Sequence, residues 1–309
     1  MHLRLIVPVG QTPAVLSALE HDPRVTNVVS LAGAGVRPSG DLVLCDVARE
    51  AVTDVLAGLR REGLYSDGGV TLSPIEAAPS QNAHAAEAAA PGSPDDAVVW
   101  DAVLDQAETQ VDGSWSYYAF LTIAVMLASI AVVTDSAVLV VGAMVVGPEF
   151  GVVTALALGI ALRRARLSRR ALALLVKGFL LAIGIALACA LAARAVGWVH
   201  PSSVNAARPL TGFIWRPDKW SAVVAIIAGC AGVLSQTAGR SNALVGVFIS
   251  VTTVPAAGDL ALSLAVWDSG QILGSLTQLV VNLAGMTIAG IATLLVQRQL
   301  WRRTATVAG

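Results

Sequence analysis

Two long apolar stretches of this chain each contain a proline, a glycine three residues later and a carboxylate. The residues concerned are Pro148, Glu149 and Gly151 in the first stretch, and Pro255, Gly258 and Asp259 in the second. An ionised carboxylate at the centre of a membrane-spanning helix costs about 2.5–3.5 kcal/mol, and proline interrupts the helical backbone. We therefore predict that both acids face protein or water rather than lipid, in one polar site where two broken helices cross.

The composition predicts an integral, multi-pass membrane protein. The chain has 309 residues, of which 55% are hydrophobic and 13% charged, and its mean hydropathy is +0.71. This is too apolar for a water-soluble protein of the same length. Charge is unevenly distributed, since residues 1–112 carry 16 acidic and 6 basic side chains while residues 113–309 carry 5 and 14. Two physically different parts are therefore joined.

Residues 1–76 predict a small α+β domain in the cytoplasm. Alternating apolar residues indicate four strands, and two amphipathic patterns begin near Thr12 and Val52. The predicted strands are Leu3–Val9, Val25–Leu31, Asp41–Asp46 and Gly69–Ser73. The order βαββαβ is that of the ferredoxin-like arrangement, which occurs in ligand-sensing and in oligomerising domains.

A linker and an amphipathic helix are predicted to follow this domain. Residues 77–94 are rich in Ala, Pro, Ser and Gly without periodicity, which favours a flexible linker. Residues 95–112 predict a helix with Val99 and Val103 on one face and acidic residues on the other. An acidic face disfavours binding to anionic lipid, so we expect this helix to dock on the protein itself.

Six membrane spans are predicted within a membrane domain of residues 113–303, followed by a cytoplasmic tail, 304–309. The spans are 115–133, 135–161, 172–199, 221–238, 244–266 and 270–296. Arginines cluster between spans two and three and after span six, which places these segments on the cytoplasmic side. Both termini are then cytoplasmic, and the expected location is the inner (plasma) membrane.

The two proline-containing spans suggest a 3+3 inverted repeat. Ser136–Val140 is similar to 241–245, and Ala155–Leu158 is similar to Ala261–Leu264. Inverted repeats with discontinuous helices are a device of secondary transporters, in which freed backbone groups face a ligand. Chance similarity between apolar segments is the open alternative.

The membrane part also resembles a known family. The run from Asp135 to Pro148, which includes Gly142-Ala143-Met144, is similar to the signature of the bacterial and archaeal family called domain of unknown function 389. Gly229–Gly232, Gly246–Pro255 and Asn282 resemble its other conserved segments. The resemblance implies a core of five or six spans, often preceded by a small cytoplasmic domain, with no established activity. Asn282 joins the predicted polar site on this ground, whereas Glu149 and Asp259 depart from the family pattern.

The cytoplasmic domain contains one further candidate site. Gly10, Gln11 and Thr12 lie at a predicted strand-to-helix turn, and Arg37 lies in a glycine-rich loop over 33–40. Backbone N–H groups and an arginine can hold an anionic ligand such as a nucleotide. The spacing matches no phosphate-binding fingerprint, so a plain β-turn is the alternative.

Catalytic and metal-binding patterns are absent from the sequence. No nucleophile has an adjacent base, and the four histidines and three cysteines show no ligand spacing. We therefore expect no enzymatic activity, no metal site and no nucleic-acid partner, and the sequence identifies no cofactor. For Glu149 a purely structural interpretation also exists, because the N–H groups of the following half-helix would stabilise its charge.

Taken together, these features predict a transporter or channel-like membrane protein with a cytoplasmic ligand-sensing or oligomerisation domain. Its expected partners are the lipid bilayer, a small ligand or ion, and further copies of itself in a trimer or dimer. The alternative is a non-transporting, membrane-anchored signalling or scaffold protein whose soluble domain binds a small anionic ligand.

Overall fold

The protein has two compact units of different architecture. The structure is a computed structural model that describes residues 1–94, 96–204, 207–238 and 251–307, with only the backbone for residue 203 and residues 301–307. The first unit comprises residues 1–103 and the end of the last helix from Gln299 onward. The second comprises residues 104–298. The first is built on a sheet, and the described part of the second is helical.

A four-stranded antiparallel sheet forms the centre of the first unit. Its strands are β1 (His2–Val7), β2 (Val25–Val36), β3 (Ser39–Val47) and β4 (Gly69–Ser73), in the order β2-β3-β1-β4. Side chains of β1 alternate between the two faces, so Leu3, Leu5 and Val7 are fully buried. The predicted sheet domain is therefore present.

Three helices contribute to the core on the buried face of this sheet, and a fourth packs against β2. In this order they are α1 (Thr12–Glu20), α2 (Val52–Arg61), the short α3 (Leu64–Asp67) and α4 (Gln81–Ala89). Val15 and Leu19 of α1 pack with Leu56 and Leu59 of α2 in one core with the strands. This is the i, i+3, i+4 stripe expected of helices with one buried face. The classification of the domain as ferredoxin-like stays a prediction.

The glycine-rich segment 33–40 is mostly strand rather than loop. Strands β2 and β3 pair as far as Val36 and Ser39, which leaves a loop of only Arg37 and Pro38. A methyl group at Gly40 would lie 2.3 Å from the Val7 carbonyl oxygen. Glycine is needed here because another backbone approaches closely, not because the chain turns.

The segment predicted as a linker, 77–94, contains helix α4. The Ser80 hydroxyl oxygen accepts a hydrogen bond from the Ala83 N–H at 3.2 Å, which caps the helix. The alanine-rich composition that suggested a linker also has a high intrinsic helix propensity, and the serine cap completes a helical start.

The second unit consists of helices from the end of α5 to most of the last helix. In chain order they are α5 (Trp100–Gln110), which begins in the first unit, α6 (Trp115–Val133), α7 (Ala137–Val146), α8 (Glu149–Ala161), α9 (Ala165–Ala195), α10 (Pro201–Val204), α11 (Lys219–Ala238), α12 (Thr253–Val266) and α13 (Ser269–Val307). By length and composition α6, α9, α11 and α13 could each cross a membrane. Together, α7 and α8 would form a fifth span, bent by 52°.

The predicted number of six spans is not confirmed. Helix α12 has 14 residues, fewer than the about 20 that a bilayer requires. The expected first part of its span lies in 239–250, outside the described residues, as does segment 241–245 of the predicted repeat. The described residues therefore give four or five candidate spans, and the inverted repeat stays a prediction.

The two prolines occupy different positions. Pro148 lies between α7 and α8, and Gly147 before it is extended (ψ 127°), since a following proline disfavours the helical region. Pro255 is the third residue of α12, in the first helical turn, where the missing N–H breaks no hydrogen bond. Within the described residues, only Pro148 separates two consecutive helices of one candidate span.

Helix α12 is the most completely buried helix of the described bundle. Twelve of its 14 residues are buried, and it packs against α6, α7 and α9. A methyl group at Gly258 would lie 2.7 Å from Ala128 Cβ, and the Ser129 hydroxyl donates to the Gly258 carbonyl oxygen at 3.0 Å. The absence of a Cβ thus lets α6 and α12 approach closely.

Burial predicts that Cys45 is chemically inert in the folded protein. Cys45 is fully buried in the sheet core, and desolvation raises the pKa of its thiol to about 12. At pH 8, below this pKa, only roughly one thiol in ten thousand would be the reactive thiolate. In the C189A/C230A variant, mass spectrometry should find no maleimide on Cys45 until a denaturant is added.

The matched control adds Val9→Cys to the same background, because Val9 is 67% exposed in the same domain. One maleimide per chain is expected on the native protein. Equal labelling rates of Cys45 before and after denaturation would contradict its burial.

A second prediction concerns the contact between Phe150 and α11. A methyl group at Gly232 would lie 1.8 Å from Phe150 Cζ, whereas nothing lies within 4 Å of the corresponding position at Gly184. Gly232→Ala should therefore lower the unfolding temperature in detergent, by a free energy of about 1–3 kcal/mol. Gly184→Ala is the control and should not lower it, since alanine is favoured over glycine inside a helix. Equal stability of the two variants would contradict the close contact.

Candidate functional site

Asp259 lies in a fully satisfied ion pair inside the helical unit. Arg208 Nη1 donates to Asp259 Oδ1 at 2.6 Å, and the two side chains are 4% and 0% exposed. The hydroxyls of Ser275 and Ser263 donate to Oδ2 at 2.5 and 3.4 Å. Both carboxylate oxygens therefore have partners, which a buried charge requires.

Arg208 reaches this position from the segment between α10 and α11. Its Nη2 donates to Gln271 Oε1 at 2.6 Å. Asp135, at the end of α6, holds the same segment by accepting from the Leu210 N–H at 3.2 Å and from the Thr211 N–H and hydroxyl at 2.9 and 2.8 Å. The ion pair is thus fixed by helices that are distant in sequence.

Arg208 is the residue that sequence reasoning missed. From the sequence, Arg208 falls between predicted spans three and four, on the side opposite the arginine clusters, and nothing there indicates a partner for Asp259. The available signal was the acid itself, because a carboxylate within an apolar span requires a cation, a proton or water. The sequence does not specify which of several arginines meets that requirement.

Glu149 lies in a different environment, at the break between α7 and α8. It is the first residue of α8 and is buried, and its Oε2 has no hydrogen-bond partner among the described residues. A methyl group at Gly147 would lie 2.4 Å from this oxygen. The hydroxyl of Tyr117 on α6 is also buried without a described partner. The α8 dipole stabilises the negative charge, but one oxygen remains unsatisfied.

The helix break also contacts the start of α12. A methyl group added at Gly147 would also lie 2.8 Å from Val254 Cγ2, so Glu149 and the first turn of α12 are neighbours at this point. Asp259 lies five residues further along α12, about 7.5 Å along its axis. Within the described residues no hydrogen bond or ion pair joins Glu149 to Asp259. One helix thus connects the two acids, but their surroundings differ.

A cluster of neutral polar side chains lies at the same end of α12. Thr252 Oγ1 accepts hydrogen bonds from Gln278 Nε2 at 2.9 Å and from Asn282 Nδ2 at 3.1 Å. Gln278 Oε1 and Thr253 Oγ1 are buried and have no partner among the described residues. Asn282 was predicted as a site residue, whereas the two threonines and Gln278 were not predicted to belong to the site. The spacing of Gln278 and Asn282, one helical turn apart on α13, was the available signal.

The glycines of the predicted site serve in packing. A methyl group at Gly151 would lie 2.7 Å from Gln110 Oε1, so the end of α5 rests on the first turn of α8. Gly258 makes the close contact with α6. Neither glycine has a φ angle in the left-handed region. The role of both is therefore to allow helices to approach.

The predicted cytoplasmic site contains an acid of its own. Asp41 accepts hydrogen bonds from the Thr12 hydroxyl and the Gly33 N–H, each at 2.7 Å, and these bonds lower the pKa of its carboxyl group. Gly10 and Gln11 form a 3-10 turn beside it, and Arg37 is exposed in the two-residue hairpin loop. A negative charge at this turn opposes an anionic ligand, so the geometry does not favour the nucleotide prediction.

Breaking the buried ion pair should destabilise the helical unit. Arg208→Leu leaves the Asp259 carboxylate buried without its cation, which should cost about 3–5 kcal/mol. The double variant Arg208→Leu/Asp259→Leu should recover much of this loss, because no charge then remains. Thermal unfolding of the purified full chain in detergent measures both effects.

The matched control is Arg216→Leu, which removes an exposed arginine from the same segment. Its effect should stay below about 1 kcal/mol. A loss in Arg208→Leu no larger than that of the control would show that the buried pair contributes little.

Comparison with known proteins gives one match. Residues 144–288 match the family model described as domain of unknown function (DUF389). No curated protein and no solved structure matches the chain. The match includes Pro148, Pro255 and Asn282, and it includes both buried acids, Glu149 and Asp259. The resemblance to the DUF389 family is therefore confirmed over the part of the chain that carries the candidate site.

Proposed function

We propose that this protein is a transporter or channel-like membrane protein in which Glu149 is the charged group of the transport site. The observation that carries the proposal is the buried Oε2 atom of Glu149, which has no described partner at a bend between two apolar helices. A buried carboxylate that is only partly satisfied is costly in a bilayer. Broken helices that surround such a group are characteristic of secondary transporters.

The contrast between the two acids supports this assignment. Asp259 is neutralised by Arg208 and by two hydroxyl groups, so its charge is already balanced within the protein. Glu149 has no cationic partner among the described residues. Of the two predicted acids, Glu149 is therefore the one with free capacity for a proton or another cation, and Asp259 serves to hold the helices.

The proposal includes a topology and an assembly. We place six spans in the inner membrane with both termini in the cytoplasm, on the strength of the arginine distribution. The strand order β2-β3-β1-β4 supports a ferredoxin-like cytoplasmic domain. Its edge strand β2 exposes Val29 and Leu31, a surface suited to association of two or three copies. No enzymatic step and no nucleic-acid partner is part of the proposal.

The competing function is a non-transporting membrane scaffold. Its support is the Arg208–Asp259 network, which joins the segment before α11 to α12 and α13 with short hydrogen bonds. In that case Glu149 would be a structural acid at a helix N-terminus, and the cytoplasmic domain would carry the function.

Ion flux into liposomes distinguishes these functions. The purified full chain is reconstituted, and gradients of H⁺, Na⁺, K⁺ and Cl⁻ are imposed in turn while dyes record ion movement and membrane potential. At least one gradient should dissipate faster than in protein-free liposomes. Glu149→Gln should slow that flux at least about tenfold, since it removes the charge and nearly preserves the shape.

Gly184→Ala is the control, because it adds a methyl group in open space on α9 and should retain the flux. If no gradient decays faster than in protein-free liposomes, the scaffold function is favoured. Unchanged flux in Glu149→Gln would exclude this residue as the transport group.

A further inference from the structure

Three buried side chains with a polar atom that lacks a described partner border the first turn of α12, namely Glu149, Thr253 and Gln278. On one side, a methyl group added at Gly147 would lie 2.4 Å from Glu149 Oε2 and 2.8 Å from Val254 Cγ2, so Glu149 and Val254 are neighbours there. The two residues before Val254 are Thr252, bonded to Gln278 and Asn282 of α13, and Thr253, whose hydroxyl has no described partner. A carboxylate, two hydroxyls and two amides therefore border one helical turn.

Most of the atoms without a described partner can only accept hydrogen bonds or bind a cation. Glu149 Oε2 and Gln278 Oε1 are acceptors without a described donor, and the Thr253 oxygen can also accept. Helix α7 ends beside them at Val146 without a described capping bond, so its last carbonyl groups are further acceptors. A ligand for such a site must offer positive charge and must accept oxygen ligands.

The charge of the surrounding bundle limits the ligand. Among the buried side chains described in the helical unit, the charged ones are Glu149, Arg208 and Asp259. Arg208 and Asp259 form a neutral pair, which leaves one negative charge at Glu149. One positive charge balances it, whereas a divalent ion would leave an excess charge in a medium of low dielectric constant.

We infer that Glu149, Thr253 and Gln278 form a binding site for a small monovalent metal cation, for which Na⁺ is the probe, and that Thr252 and Asn282 hold the Gln278 side chain in place. The inference rests on the proposed transport function and names the ion class that this site would carry or couple to. Carboxylate, hydroxyl and amide oxygens are hard ligands of the kind that bind such cations. A proton would need only the carboxylate and would leave the Gln278 and Thr253 oxygens without a role.

The test is a binding measurement that does not depend on transport. Thermal unfolding of the full chain in detergent is followed in NaCl and in choline chloride at equal ionic strength and fixed pH. A ligand that binds only the folded state raises the unfolding temperature, here by about 2–4 °C or more at saturating Na⁺. Titration with Na⁺ then gives an apparent Kd.

Three variants locate the site. Glu149→Gln should abolish the sodium-dependent shift, and Thr253→Val and Gln278→Leu should each weaken the apparent Kd about tenfold. The control is Thr287→Val on α13, whose hydroxyl donates only within its own helix, to Leu283 O at 2.7 Å. Isothermal calorimetry with NaCl on protein that elutes as one folded species provides a second readout for any variant of low stability.

The results distinguish this inference from the proposed function. Equal unfolding temperatures in NaCl and choline chloride, or a full sodium shift in Glu149→Gln, would overturn the cation site. A larger shift with MgCl₂ than with NaCl at equal ionic strength would overturn the charge argument. Proton flux without any sodium effect would leave the transport function intact and remove the metal cation. A sodium-dependent rise in unfolding temperature without any ion flux would support the cation site and remove the transport function.

Discussion

The Arg208–Asp259 ion pair is the interaction on which the arrangement of the helical unit depends. A charge at the centre of α12 cannot be left without a partner in an apolar bundle, so the segment before α11 must bring an arginine to it. Asp135 and Gln271 then hold that segment against the ends of α6 and α13. One electrostatic requirement thus connects helices from both halves of the chain.

Close packing between helices is the second feature that holds the helical unit together. Helix α12 is surrounded by protein, and glycine permits its approach to α6 at Gly258. A similar contact joins α11 to α13, where a methyl group at Gly229 would lie 2.6 Å from the Met286 carbonyl oxygen. Lipid gives no hydrophobic advantage to helix association, so close packing and interhelical hydrogen bonds must hold such a bundle together. Many other large apolar side chains lie on the outside, as Leu180 and Ile288 do.

The break between α7 and α8 lacks the complete pairing that Asp259 has. Pro148 removes a backbone donor, the helices bend, and one oxygen of Glu149, next to α12, has no partner among the described residues. Polar groups that are buried without partners lower stability, and this cost is the physical ground of the proposed cation site at the break. The neutral cluster around Thr252 extends this polar region to α13.

The sequence by itself determined the apolar helices, the sheet domain and the two acidic residues whose burial is costly. Hydropathy and periodicity are local properties, so α6 and the bend at Pro148 could be placed from composition and spacing alone. The sequence also identified Glu149 and Asp259 as costly residues, since that cost depends only on residue type and an apolar context.

Only the tertiary structure decided which of the two acids has a cationic partner. The sequence gives Glu149 and Asp259 similar positions after a proline, but Arg208 neutralises one and not the other, because the path of a distant segment sets which cation reaches which carboxylate. Likewise, Thr252 and Gln278 meet only when α12 and α13 pack together. Residue spacing encodes neighbours within one helix, whereas contacts between helices depend on packing that no local pattern records.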